Sequence, residues 1–135
     1  MTNQETNRRI ARQFFERFDA RDLDGAMALL ADDAQFRIPG KPAESPSAGD
    51  YDKKRLRKLF ERVLGNIPGG VRMTFKSIIA EGDLVALEME GFGKLANGRV
   101  YNNEYVILFV IRDGLIREVR EYNDTLHAYN VWHAA

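Results

Sequence analysis

The sequence contains no cysteine among its 135 residues. Disulfides, thiolate nucleophiles and thiolate metal sites are therefore excluded. An excess of one charge is also absent, because 20 Lys and Arg residues balance 20 Asp and Glu residues. A neutral chain has no broad field to attract nucleic acid or anionic lipid, so we expect neither partner. The basic cluster at 53–58 fits the solvated face of a helix better than a nucleic-acid site.

Long apolar runs are missing as well. No stretch approaches the ~20 apolar residues that a membrane-spanning helix needs. Residues 1–9 are polar and lack the apolar segment of a signal peptide, so we expect a cytoplasmic protein without a membrane partner. His127 and His133 have no partner at metal-ligand spacing, and the glycines at 65–70 do not have P-loop spacing. We therefore expect neither a metal nor a cofactor.

The length favours one domain over residues 1–135, large enough for one core. Three amphipathic helices are predicted in the first half. Asp22 is suited to cap the second helix, and Asp50 or Asp52 to cap the third. A short strand is expected at 34–38, followed by a loop to 50. The apolar positions that define the three helices are Ile10, Ala11, Phe14, Phe15 and Phe18; Leu23, Ala26, Met27 and Leu30; and Leu56, Leu59, Phe60, Val63 and Leu64.

The second half changes to a period of two, which predicts strands. In the first of them, Val71, Met73, Phe75, Ser77 and Ile79 alternate with Arg72, Thr74, Lys76 and Ile78. Further strands are predicted over 84–92, 99–111 and 116–123, with turns at Glu81-Gly82-Asp83, Asn97-Gly98 and Asp113-Gly114. A short terminal helix would carry Leu126, Tyr129 and Trp132. Helices followed by an antiparallel meander indicate the α+β class.

The strand segment 105–111 is apolar at every position. A sheet with one solvated face would alternate instead, so both faces of this sheet are expected to be covered. The helices can cover one face. We expect a second subunit to cover the other, which makes the protein a homodimer.

The turns predict which side chains meet. A two-residue Asn97-Gly98 turn places Glu90 opposite Tyr105 and Glu88 opposite Ile107, on one face. The Asp113-Gly114 turn leaves two alternatives. A two-residue turn pairs Tyr122 with Tyr105 and Asp124 with Asn103, whereas a three-residue turn pairs Glu121 with Tyr105 and Asn123 with Asn103. Either register brings an acidic and a polar group beside Tyr105.

Three segments of the chain are similar to those of a known family: DLDGAMALLADDA at 22–34, NGRVYNNEY at 97–105 and RDGLIREVREYNDT at 112–125. With them the chain resembles the SnoaL-like, ketosteroid-isomerase-related branch of the nuclear-transport-factor-2-like superfamily. The resemblance implies a cone. A curved, mostly antiparallel sheet would wrap around about three N-terminal helices, with a pocket at the wide end and frequent dimers.

The same resemblance excludes one mechanism and argues against another. The catalytic positions of ketosteroid isomerase correspond to Phe14, Ile38 and Ile107, which are all apolar, so isomerisation by that mechanism is rejected. The two acids of limonene epoxide hydrolase correspond to Glu121 and Glu90. Its arginine corresponds to Glu88, a reversal of charge that argues against epoxide hydrolysis by that set. In SnoaL-type cyclases an acid on a late strand closes the ring, a role open to Glu121 or Asp124.

The resulting candidate site has three acids, Glu121, Glu90 and Asp124, as its catalytic groups. Glu121 could instead form a surface salt bridge with Arg120 or Arg117, and Asp124 could cap the terminal helix. Carboxyl groups in an apolar cup have a raised pKa and can exchange protons near neutral pH. The expected ligand-binding residues are Tyr105, Asn103, Asn123, Phe14, Phe18, Ile38, Val119 and Glu88.

The function expected from this set is cofactor-free acid/base chemistry on a small, mostly apolar, oxygenated molecule. Isomerisation, cyclisation and water addition all fit. The alternative is a non-catalytic module that binds a small ligand or mediates dimerisation.

Overall fold

A computed structural model describes residues 2–135. The helices are α1 (Asn3–Asp19), α2 (Leu23–Ala28), α3 (Lys53–Asn66) and α4 (Thr125–Trp132). The strands are β1 (Leu30–Ile38), β2 (Gly49–Asp52), β3 (Arg72–Glu81), β4 (Leu84–Lys94), β5 (Val100–Arg112) and β6 (Leu115–Asn123).

The second and third helices begin where the sequence predicts. The Asp22 carboxylate accepts from the Gly25 backbone N–H at 2.8 Å and caps α2. The Asp52 carboxylate accepts from the Arg55 N–H at 2.8 Å and caps α3. Each cap satisfies a donor that the first helical turn leaves without a partner. The apolar faces of α1 and α3 that the helical spacing predicts are largely buried.

The helical spacing predicts Leu30 in the second helix, and this prediction is wrong. It is the first residue of β1 and lies opposite Ile116 in a parallel pairing with β6. The Ile116 backbone N–H donates to the Leu29 carbonyl at 2.9 Å. Sheet pairing therefore ends α2 at Ala28, although the side-chain pattern alone would continue it.

The six strands form one sheet in the order β2-β1-β6-β5-β4-β3. β1 and β6 are parallel, and every other neighbouring pair is antiparallel. α1 packs against β3, β4 and β5, and α3 packs against β1 and β2. This curved sheet with helices on its inner face confirms the predicted α+β cone.

The β4–β5 hairpin differs from the predicted register by one residue. The Leu95 N–H donates to the Arg99 carbonyl and the Gly98 N–H to the Leu95 carbonyl, so three residues form the loop instead of two. Gly98 is in the left-handed region, with φ of 90°. A three-residue loop with a left-handed glycine is a common hairpin form. A slip of one residue moves every side chain to the other face.

The β5–β6 hairpin matches neither alternative in full. The turn at Asp113-Gly114 has two residues, both with positive φ, as in a type I′ turn. A bulge one pair further along then shifts the register. Glu121 consequently lies opposite Ile107, and Asn123 lies opposite Tyr105. Their side chains share the face that the three-residue alternative predicts for them, although their partners differ.

β3 also contains a bulge, between Phe75 and Ser77. The predicted alternation holds for Met73 and Phe75, which are partly buried, and fails after them. Ile79 is 67% exposed, while Ile78 and Ala80 pack against the core. One inserted residue accounts for the exchange of faces.

Within residues 2–135 the outer face of the sheet is partly exposed. Tyr105, Ile107 and Phe109 of β5 point inward and are buried, whereas Val106 is 44% exposed on the other side. None of the helices within 2–135 has both the length and the apolar character needed to cross a membrane.

Candidate functional site

A cavity of about 500 Å³ lies between the inner face of the sheet, α3, the loop at 45–47 and the C-terminal end of α4. Cavities of this size hold small organic molecules. Its walls are mostly apolar and include Phe15, Phe18, Phe60, Met73, Met89 and Trp132.

Glu121 is the only acidic side chain lining this cavity within the described chain. It is partly buried, and its strand neighbours Tyr105 and Asn123 line the same cavity. Burial raises the pKa of Glu121 to about 7, because a carboxylate loses hydration in an apolar site. A carboxyl group with this pKa is present in both protonation states at neutral pH, as a general acid or base must be.

Asn123 supplies one hydrogen bond to this acid and leaves one group free. Its Nδ2 donates to Glu121 Oε2 at 2.9 Å and lowers the pKa of Glu121, against the larger effect of burial. The Oδ1 of Asn123 is buried and has no hydrogen-bond partner among residues 2–135. A buried acceptor without a donor is costly, so this oxygen is suited to a donor group on a ligand.

Tyr101 and Tyr105 lie beside Glu121, and their hydroxyl groups are hydrogen-bonded to each other. Asn103, which faces the same side of β5, holds the Tyr101 hydroxyl in place by a hydrogen bond. Its Oδ1 accepts from the backbone N–H groups of Glu104 at 2.8 Å and Asp124 at 3.1 Å. Its Nδ2 donates to the Tyr101 hydroxyl at 3.0 Å. The orientation of the amide is therefore set by two backbone donors.

The tyrosine pair leaves one hydroxyl hydrogen available. Tyr101 accepts from Asn103, and only one hydrogen can lie between the two phenol oxygens. The other phenolic hydrogen has no acceptor in the part of the chain that the structure describes. Burial and the nearby Glu121 raise the pKa of Tyr101 to about 12, and burial raises the pKa of Tyr105 well above its ordinary value. Both phenols thus stay protonated and act as donors.

α4 closes the cavity; a cap begins the helix, and hydrogen bonds to Asn102 and from Arg99 hold it in place. Asp124 caps the helix by accepting from the His127 N–H at 3.1 Å. His127 Nε2 accepts from the Asn102 N–H at 2.9 Å. The Arg99 guanidinium donates to three carbonyls at the end of the helix, those of Asn130, Val131 and Ala134. These bonds place Trp132 and His133 over the cavity.

The rim of the cavity is polar. Ser47 Oγ and His133 Nε2 lie 3.1 Å apart and join the loop to the end of α4. Arg62, Asn66 and Asn97 are exposed and complete the rim. The cavity therefore has a polar inner end around Glu121, an apolar middle and a polar opening.

Five of the residues expected at the site line the cavity: Glu121, Asn123, Tyr105, Phe18 and Ile38. The others do not. Phe14 and Val119 are fully buried in the core, because α1 and β6 point them at other side chains. Asn103 lies behind Tyr101 and supports it. Asp124 is exposed and caps α4, which is the second of the two roles considered for it.

Glu90 and Glu88 were expected in the cup, and this placement is wrong. The three-residue loop pairs Glu90 with Glu104 and Glu88 with Val106, on the outer face. Glu90 forms an ion pair with Lys76 at 3.3 Å. Glu88 accepts from the Ser77 hydroxyl at 3.0 Å. Glu121 is thus without a second carboxylate in the cavity lining that the structure describes.

Sequence reasoning missed Tyr101, Arg62, Trp132 and His133. Tyr101 had a signal, because Tyr101, Asn103 and Tyr105 occupy alternate positions of one strand and so share a face. The other three reach the cavity through the packing of α3 and α4, which no local pattern reveals. Within residues 2–135, no three His, Asp or Glu side chains lie close enough together to hold a metal ion.

Comparison with protein-family models gives a match to the SnoaL-like domain over residues 11–119. The chain belongs to the SnoaL-like family. This agrees with the nuclear-transport-factor-2-like fold expected from the three sequence segments. Comparison with curated protein sequences gives no significant match.

Solved structures share the SnoaL-like fold over nearly the whole chain. A nuclear-transport-factor-2-like protein of unknown function from Burkholderia pseudomallei is 21% identical, with a TM-score of 0.83 over 99% of this chain and 100% of its own. A candidate isomerase from Bacillus subtilis is 21% identical, with a TM-score of 0.84 over 100% and 98%. A candidate polyketide cyclase from Streptomyces antibioticus is 22% identical, with a TM-score of 0.77 over 95% and 99%. At these identities the likeness shows the fold alone.

Proposed function

We propose that this SnoaL-like protein binds a small, mostly apolar, oxygenated molecule and transfers a proton through Glu121. One observation carries the proposal: a single carboxyl group with a pKa of about 7 lines an apolar cavity beside a free phenolic hydrogen. An acid/base group and an oxyanion donor are the two parts that proton abstraction next to a carbonyl requires.

The proposed reaction begins with ionised Glu121. The carboxylate takes a proton from the carbon adjacent to a ligand carbonyl, and the electrons of the C–H bond move into the carbonyl to form an enolate. The free hydrogen of the Tyr101–Tyr105 pair donates to the enolate oxygen. Glu121 then returns its proton to carbon or oxygen. Isomerisation and ring closure both begin with such an enolate.

The inner end of the cavity also suggests what the ligand carries. The tyrosine pair offers a donor, which calls for a carbonyl oxygen. Asn123 Oδ1 offers a buried acceptor, which calls for a hydroxyl or N–H group. A carbonyl compound with a hydroxyl group nearby would satisfy both. Two structural neighbours, a candidate isomerase and a candidate polyketide cyclase, are named for chemistry of this kind.

Exchange of carbon-bound hydrogen for deuterium tests this proposal without knowledge of the natural substrate. 2-Tetralone, a bicyclic ketone with an acidic C–H group, is dissolved in D₂O with the protein at neutral pH, and exchange is followed by NMR. We expect the wild type to accelerate exchange above buffer. Glu121→Gln should lower that rate by about 10²- to 10⁴-fold, the usual contribution of a general base.

Glu61→Gln is the matched control, because Glu61 is an exposed glutamate on α3 outside the cavity. It should exchange 2-tetralone at the wild-type rate. Equal loss in both variants would show a general effect of charge. An unchanged rate in Glu121→Gln would remove Glu121 from the reaction.

The alternative, a non-catalytic binding module, has one observation in its favour. Phe14, Ile38 and Ile107 are apolar at the positions of the ketosteroid isomerase catalytic groups, and all three are buried. A protein that binds 2-tetralone with no acceleration of exchange would support this alternative.

A further inference from the structure

The rim of the cavity contains a cation with no partner. Arg62 lines the opening and has neither an ion-pair nor a hydrogen-bond partner for its guanidinium among residues 2–135. Its neighbours on α3 differ in this respect. Arg57 pairs with Asp24 at 2.6 Å and with Glu61 at 3.1 Å.

The groups around Arg62 are also suited to an anion. Apart from Glu121 at the inner end, no acidic side chain within the described chain lines the cavity. The side chains nearest the opening are neutral donors or acceptors: Ser47, Asn66, Asn97 and His133. Burial, followed by the charge of Arg62, lowers the pKa of His133, so the guanidinium acts across this opening.

We propose that Arg62 and the rim donors bind an anionic group at the outer end of the ligand, a carboxylate or a phosphate ester. A guanidinium forms two parallel hydrogen bonds to either group. The ligand would then be an amphipathic acid, with its anionic group at the opening, its apolar body in the cavity and its carbonyl end at Glu121. The inference rests on the proposed function only in placing the ligand in the same cavity.

Two dyes with one ring system test the anion subsite by binding alone. 1-Anilinonaphthalene-8-sulfonate carries an anion, and N-phenyl-1-naphthylamine lacks it. Trp132, the only tryptophan in the sequence, lines the cavity and reports bound dye through energy transfer. Arg62→Met keeps a long, flexible aliphatic stem and removes the charged guanidinium. It should weaken the anionic dye about tenfold at low salt and leave the neutral dye within twofold.

Lys58→Met is the matched control, because Lys58 is one turn earlier on α3 and outside the cavity lining. It should bind both dyes as the wild type does. The tenfold difference should shrink in 1 M salt, where charges near solvent are screened. Equal weakening by Arg62→Met and Lys58→Met, or equal weakening of both dyes by Arg62→Met, would overturn the subsite.

Displacement of the anionic dye identifies the group that Arg62 prefers. Biphenyl-4-carboxylate, biphenyl-4-yl phosphate and neutral biphenyl-4-carboxamide are compared. We expect at least one anion to displace the dye more strongly than the amide in the wild type but not in Arg62→Met; the stronger anion gives the ligand class. Equal displacement by all three overturns the proposal. The dye assays involve no proton transfer, whereas Glu121→Gln is tested by exchange of 2-tetralone, so failure of this subsite and failure of the chemistry give separate results.

Discussion

Asn123 Nδ2 donates to Glu121 Oε2 at 2.9 Å, while the Oδ1 of the same amide is buried without a partner. The two residues are neighbours on one face of β6, so the strand itself fixes their relationship. Asn123 therefore stabilises the ionised form of Glu121, while its own Oδ1 is left without a donor.

Replacement of Asn123 by Leu removes the donor and keeps a similar shape. We expect the pKa of Glu121 to rise above its value of about 7, because burial then acts without opposition from this hydrogen bond. The pH profile of 2-tetralone exchange should move to higher pH. A profile that stays in place, or moves to lower pH, would show that the hydrogen bond does not stabilise the carboxylate.

The helices and the fold class could be predicted from the sequence, because the spacing of Phe14, Phe15 and Phe18 and the caps at Asp22 and Asp52 are local signals. The strand registers could not. The loop at Gly98 and the bulge in β6 each shift the pairing by one residue. At Gly98 the same sequence suits a two-residue or a three-residue loop. That single residue decides whether Glu90 faces the cavity or the outer surface.

The candidate site was predictable to a similar extent. Glu121, Asn123 and Tyr105 share a face in one of the two registers considered, so the polar inner end could be anticipated. The rim could not be. Arg62 belongs to an exposed helical face, and Trp132 reaches the cavity because Arg99 holds the end of α4. Such contacts depend on tertiary packing.

The raised pKa of Glu121 also predicts how stability depends on pH. Between pH 4.5, the ordinary pKa, and about pH 7, the pKa in the folded state, Glu121 keeps its proton in the folded protein and loses it in the unfolded one. The contribution of Glu121 to stability therefore falls as pH rises through that range. Gln cannot ionise. Above pH 7 the free energy of unfolding of Glu121→Gln should therefore increase relative to that of the wild type, by about 3 kcal/mol at most.

Urea unfolding of both proteins at pH 4.5 and pH 8.5 measures this difference. Glu61→Gln serves as the control, and its free energy of unfolding should follow that of the wild type. A difference between Glu121→Gln and wild type that does not grow with pH would mean that Glu121 ionises in the folded state as it does in water.

The tyrosine pair predicts a non-additive result. Tyr101→Phe and Tyr105→Phe each leave one phenol facing the cavity with a free hydrogen. The double variant leaves none. We expect the double variant to lose about 10²- to 10³-fold in 2-tetralone exchange, as when an oxyanion donor is removed, and each single variant to lose less. Losses that simply multiply would contradict a shared hydrogen.

We also propose that the outer face of the sheet packs against a second copy of the chain. Large apolar side chains lie exposed across β4, β5 and β6, between 42% and 49%. An apolar face shared by neighbouring strands is typical of a protein–protein contact. They are Leu84, Phe92, Val100, Val106 and Tyr122. Self-association through one face would give a two-fold dimer.

Val106→Asp tests the dimer by placing a charge at the centre of this face. Sedimentation velocity should show a wild-type dimer and a Val106→Asp monomer. Leu126→Asp is the control, because Leu126 is 70% exposed and belongs to α4, not to the sheet. It should remain dimeric. A wild type that sediments as a monomer at about 50 μM, a concentration well above a micromolar Kd, would contradict the proposal.

The most direct test is titration of Glu121 itself. In protein labelled with ¹³C at the glutamate carboxyl carbon, the Glu121 signal is identified by its absence from Glu121→Gln and followed from pH 3 to pH 9. A midpoint near 7 is predicted, because the apolar cavity disfavours the carboxylate. A midpoint near 4.5, the ordinary value, would contradict the acid/base role on which the proposed function depends.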